Sequence, residues 1–142
     1  PDLLTALGER LADEPIPVPD VVVPGDLGES LCRLVDALDE ALDRSAVLSH
    51  LLWREADTHP DVLDALKTRF DRVVEQIRDV ILAAAPGPPS AADVEPAAQL
   101  LASAVSYRHS VARHTEDEQA EMRRELRFLA AAIERLPPHD SN

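Results

Sequence analysis

Cysteine occurs once in these 142 residues, at Cys32, so no disulfide can close within the chain. Cys32 lies at the edge of an apolar helix face, the setting of a small core residue rather than a reactive thiol. Aromatics are scarce: Trp53, Phe70, Tyr107 and Phe128 are the whole set, so the walls of any pocket are mainly aliphatic. Glycine occurs four times and never as GxGxxG, which removes the loop that cradles phosphates. Positive charge is in deficit, with 14 Lys and Arg against 27 Asp and Glu, a net charge of −13. That balance repels DNA, RNA and anionic lipid, because nucleic-acid affinity comes mainly from phosphate neutralisation by Lys and Arg. These residues contain no signal-peptide pattern and no apolar run long enough to span a bilayer. The expected setting is cytoplasmic, with no membrane partner. The chain begins at Pro1 rather than Met, as a fragment or a trimmed product would.

What remains reads as one all-α domain over residues 1–142, of about six helices. A chain of this length buries about two-thirds of its unfolded surface, so it needs no metal or disulfide to fold. No strand-type alternation and no fixed-period repeat is present. Leu3, Leu4, Leu7 and Leu11 mark a first amphipathic helix over Asp2 to Asp13. Pro15, Pro17, Pro19 and Pro24 then force an extended connector. Asp26 and Glu29 fit a capping box for a second helix, whose apolar face runs from Leu27 to Leu42. Ser45 is placed to cap a third, through Val47, Leu48, Leu51 and Leu52 to about Asp57. Pro60 suits the first turn of the longest helix, which keeps one face from Val62 to Ile81 and ends near Ala85. Pro86-Gly87-Pro88-Pro89 stops it, and Ser90 or Asp93 caps the next.

The C-terminal third, Asp93 to Leu136, organises the chain. It reads as two helices with a break at His114–Thr115, where Thr115 and Glu118 form another capping box. In the last helix Met122, Leu126, Leu129, Ile133 and Leu136 step by four and three, a heptad-type seam. At about 100° per residue, Phe128, Ala130 and Ala132 widen that seam. A helix packed on one partner needs an apolar stripe of roughly 100°. The extra width has two explanations: a second subunit on one side, or a helix buried centrally in a monomer.

Signatures of catalysis are lacking. There is no GxSxG, no HExxH and no local Cys/His pair. His109 and His114 are five apart, on different helix faces, and His50 and His59 flank a helix break, so a zinc site has no local support. Asp36, Asp39, Glu40 and Asp43 form a solvated face. No enzyme, cofactor or metal is expected.

Three charged residues interrupt apolar faces. Arg108 points between Ala97 and Leu101, Glu55 between Leu51 and Leu52, and Glu125 lies near Leu129. Buried charges are costly unless paired. Arg108 is therefore expected either to bridge Glu125 or Glu55, or to stand with Glu55 as the polar groups of an apolar cavity. Trp53 sits opposite Leu51 on its helix, as packing or as a ligand contact. Phe70 lies on the main stripe of the long helix, core first and pocket wall second.

The run Leu52-Trp53-Arg54-Glu55-Ala56-Asp57-Thr58-His59-Pro60-Asp61-Val62-Leu63-Asp64-Ala65-Leu66 resembles the "EA…P-(E/D)…AL" junction of TetR-family regulators. There it joins the third and fourth helices of the C-terminal ligand-binding domain. Asp93-Val94-Glu95-Pro96-Ala97-Ala98 through Tyr107-Arg108 is similar to that family's penultimate helix. The opening helix and proline-rich connector resemble the first helix after its DNA-binding domain. The resemblance implies an effector-binding and homodimerisation domain, whose last two helices form a four-helix bundle with their mates. It implies interface residues Leu100, Ala104, Tyr107, Val111, Met122, Leu126, Leu129 and Ile133. Candidate ligand contacts are Trp53, Glu55, Phe70, Val74, Leu101, Val105 and Arg108, for an apolar or mildly anionic small-molecule effector. No helix-turn-helix precedes Asp2, so operator DNA is expected to be bound only through an N-terminal domain that this chain lacks. Ligand entry would tilt the first helix and carry the motion to that domain. The runner-up is a helical protein-interaction module. A cavity of a few hundred Å³ favours the sensor, and a solid core favours the module.

Overall fold

The computed structural model describes residues 3–14, 20–87, 91–111 and 116–135, with the backbone alone at 91–92, 109–111 and 116–118. Among them it is all-helical, with six helices: α1 (Leu3–Asp13), α2 (Leu27–Asp43), α3 (Ala46–Glu55), α4 (Pro60–Ala84), α5 (Ala91–Val111) and α6 (Glu116–Arg135). Their bounds follow the proline and capping signals to within two residues. The proposed caps Ser90 and Thr115, the residue Leu136 and the connector prolines 15–19 lie outside the described residues.

Asp26 caps α2 as its side chain predicts, with the Glu29 amide donating to Oδ1 at 3.1 Å. The reciprocal half of the capping box is not made. The Asp26 amide donates to the Val23 carbonyl at 3.0 Å. The Glu29 carboxylate turns outward to Arg33 at 3.2 Å and Arg127 of α6 at 3.8 Å. Two cations attract the carboxylate more strongly than one neutral amide does. The buried Ser30 hydroxyl ties the preceding segment down. It accepts from the Val23 amide at 2.8 Å and donates to the Asp26 carbonyl at 2.7 Å. Val21 is thereby held in the core.

Ser45 does not cap α3 through its side chain. Its Oγ instead accepts from the Arg69 guanidinium at 3.0 Å. The helix also stops at Glu55, two residues short of the expected end, because the amides of Thr58 and His59 both converge on the Glu55 carbonyl at 3.1 Å. Its apolar face is largely unburied: Leu52 is enclosed, Leu48 half-buried, and Val47 and Leu51 exposed.

Pro60 opens α4 at its first turn. At 1.5 Å per residue its 25 residues span on the order of 37 Å, long enough to serve two separate cores. The first 7 residues contribute Val62 and Leu66 to a small core with Leu11, Leu52 and Ala56. From Val73 onward α4 contributes to a larger core with α2, α5 and α6. α1 crosses α4 closely: a Cβ added at Gly8 would stand 3.3 Å from the Ala65 methyl. α6 runs antiparallel to α2, with Arg123 bridging Asp36 at 2.8 Å one turn from the Arg127–Glu29 pair. Met122, Leu126, Ala130 and Ile133 face this core. None of the six helices is long and apolar enough to cross a membrane, counted over the described residues.

Candidate functional site

The sequence candidates separate into distinct surroundings. Trp53 and Phe70 meet at a cavity of about 90 Å³ between α3, α4 and α5. Ser49, Arg69, Val73 and Ser106 complete much of its wall. Phe70 is half-buried and Trp53 stands at the rim, 53% exposed. Val74, Leu101 and Val105 belong to the larger core. Glu55 ends α3, with its carboxylate 3.9 Å from His59 Nε2. Arg108 lies in a different depression, of about 20 Å³, beside Met122, Cys32 and Asp39. There its guanidinium donates to Glu125 at 2.6 Å, the bridge expected from helical angle. The side chain of Arg108 is 21% exposed and that of Glu125 57%, so water screens one end of the pair.

Arg69 is the residue that pattern reading missed. It is 6% exposed, on the turn of α4 between the two cores. Its neighbours Leu66 and Val73 stand three and four residues away, so Arg69 occupies a place on the apolar stripe. That spacing was the available signal. One terminal nitrogen donates to the Leu11 carbonyl at 2.9 Å and the other to Ser45 Oγ at 3.0 Å. Leu11 lies in the last turn of α1, where its carbonyl has only a long bond of 3.3 Å from the Glu14 amide and the helix dipole favours a cation. Nε is buried with no hydrogen-bond partner. Among the described residues no carboxylate comes within salt-bridge distance. Burial pushes the guanidinium below its usual value; Glu14 opposes this and Arg72 adds to it. The cavity thus has apolar walls, two serine hydroxyls and one desolvated cation.

The implied interface residues divide by depth. Met122, Leu126 and Ile133 are buried in the chain's own core, and Leu129 is half-buried against it. Leu100 and Tyr107 on α5 are 67% and 65% exposed, with Ala104 half-buried between them. Phe128 on α6 is 77% exposed, one turn from the Glu125 that binds Arg108. The Val111 side chain lies outside those described. The exposed large apolar side chains of these two helices are therefore Leu100 and Tyr107 on α5 and Phe128 on α6, the last beside Glu121 and Arg124. A second open groove, between α1 and α3, exposes Val47 and Leu51 beside Arg10 and Arg44.

Among the described residues no three His, Cys, Asp or Glu side chains converge as a metal site. Comparison of the chain with family models, with curated proteins and with solved structures finds no match in any of the three.

Proposed function

We propose that this chain is the effector-binding and dimerisation domain of a TetR-like transcriptional regulator. In that reading it pairs with a second copy through α5 and α6. It couples a small-molecule effector to release of operator DNA held by an N-terminal helix-turn-helix domain. The observation that carries the reading is the exposure of Leu100 and Tyr107 on α5 and of Phe128 on α6. Three large apolar side chains more than half exposed on two helices that touch each other offer apolar area that association would bury. The Arg108–Glu125 bridge joins the two helices that present it. Coupling follows from linkage. An effector that binds one arrangement of the helices better than another shifts the population toward it.

Sedimentation equilibrium tests this on the chain itself, with Leu100→Glu and Phe128→Glu alongside. A dimer at micromolar concentration that both substitutions split is the expected result. A monomer refutes the twin-subunit interface. A second reading, a helical protein-interaction module, draws support from cavity size. The space between α3, α4 and α5 is about 90 Å³, well below the few hundred Å³ of ordinary ligand pockets. Under that reading a different protein covers the same exposed side chains.

A further inference from the structure

The cavity between α3, α4 and α5 has a more definite chemistry than "apolar". Its charged wall is Arg69, a cation 6% exposed with no carboxylate partner among the described residues. Glu14 offsets this charge only from beyond salt-bridge distance; a buried charge so weakly countered is costly, and an anion that reaches it recovers part of that cost. We propose that this cavity is a binding site for a small apolar monocarboxylate, with Arg69 as its anion-recognising residue. This deepens the effector-binding reading and rests on it for its biological meaning.

Size and charge narrow the ligand. By volume, about 90 Å³ admits on the order of six waters at roughly 15 Å³ each, which suits a compact monoanion rather than a nucleotide or a long acyl chain. The net charge of −13 penalises every further negative charge on a ligand, so a monoanion is favoured over a phosphate dianion. Leu66, Phe70 and Val73 meet the apolar body, and Trp53 closes the rim. The half-buried Ser49 and Ser106 bring hydroxyl donors for the second carboxylate oxygen.

The same guanidinium holds α1. Its bonds go to the neutral Leu11 carbonyl and the neutral Ser45 hydroxyl, both weaker acceptors than a carboxylate. A bound carboxylate therefore competes for the donors that fasten the end of α1 to α4. Ligand binding and release of α1 become one exchange of hydrogen bonds, with Arg69 as the shared element.

Trp53 is the single tryptophan and stands at the mouth of the cavity, so its fluorescence reports occupancy. The probes are butyrate, isobutyrate and cyclopropanecarboxylate, each of a size with the cavity, with isobutyramide as the neutral counterpart. At least one carboxylate should shift Trp53 emission saturably in the millimolar range or tighter, and the amide should not. Arg69→Met should weaken that binding by about tenfold or more, while Arg72→Met, which removes a cation one turn outside the cavity, should leave it intact. Should Arg69→Met fold poorly by circular dichroism, Ser106→Phe decides instead: it leaves both Arg69 bonds in place, fills the cavity and should abolish the response. No saturable change with any of the three carboxylates, equal binding of the amide, or full binding to Ser106→Phe would overturn the assignment. Sedimentation is measured separately. A dimer without carboxylate binding defeats this inference alone, and carboxylate binding to a monomer defeats the regulator reading alone.

Discussion

Leu126 and Phe128 stand two residues apart on α6 and face opposite environments. Leu126 is 2% exposed in the larger core, whereas Phe128 is 77% exposed. Truncating Leu126 to Ala removes three carbons from water-free packing. At about 0.8 kcal/mol per CH₂ the transfer loss is about 2.4 kcal/mol, and the residual void raises the total to about 3–4 kcal/mol. Phe128→Ala removes more carbon, yet in the single chain most of that surface already meets water. Its cost there should stay within about 0.5 kcal/mol. Urea unfolding followed by circular dichroism separates the two. With a slope of about 1.5–2 kcal/mol/M for a domain of this size, Leu126→Ala should lower the midpoint by roughly 2 M with the slope unchanged. Phe128→Ala should leave the midpoint nearly unmoved at low protein concentration. If two copies associate through this surface as proposed, its midpoint should fall behind that of the parent chain at higher concentration, because the parent would gain stability from association and the variant would not. A midpoint lowered more by Phe128→Ala than by Leu126→Ala, at every concentration, would mean that α6 is rotated about its axis from the position described.

Two further outcomes test the interior. Ser30→Ala leaves the Val23 amide without its 2.8 Å acceptor in a part-buried place, so about 1–2 kcal/mol of stability should be lost, read from the same urea transitions. Burial pushes the Cys32 thiol above its ordinary value of 9.0, with Arg123 and Arg127 pulling it back and Glu29 and Asp36 adding to the rise. The folded chain then holds the thiol proton more tightly than the unfolded one, and stability falls as pH rises past the ordinary thiol value. Cys32→Ala lacks that term, so the parent chain should lose ground to the variant between pH 8 and pH 10, and a constant difference would contradict it.

Helix placement was legible because its signals are local. Proline punctuation, the Asp26 cap and the three-four spacing of leucines fix where each helix runs. The Arg108–Glu125 bridge was legible too, since helical angle placed both residues on or beside apolar stripes with few possible partners. Depth was harder. The seam of Met122, Leu126 and Ile133 could face its own core or a twin, and periodicity is the same in both cases. α5 carries apolar residues around most of its circumference, Leu101 and Val105 inward and Leu100 and Tyr107 outward, so spacing alone does not choose its buried side. The cavity was legible only in part: Trp53 and Phe70 were expected as pocket residues and meet there, whereas Arg69, Ser49 and Ser106 were not. It depends on the gap between α3, α4 and α5, which side-chain order does not set. Arg69 was passed over because charged residues on helices usually face water, and its burial comes from α1 and α3 closing over it rather than from its own helix.

One helix shared by two cores has a consequence for how the molecule opens. α4 is a single hydrogen-bonded rod, yet its first turns rest on the small cluster of Leu11, Leu52, Ala56, Val62 and Leu66, and its remainder rests on the larger one. Cooperative units of unequal size exchange their amides at unequal rates. The amides of α1, α3 and the first turns of α4 should therefore trade hydrogen for deuterium through partial openings, while those of α2 and the far half of α4 wait for global unfolding. The change of regime along α4 falls at Arg69. Before that residue α4 should open with the small core, and beyond it only when the whole molecule unfolds.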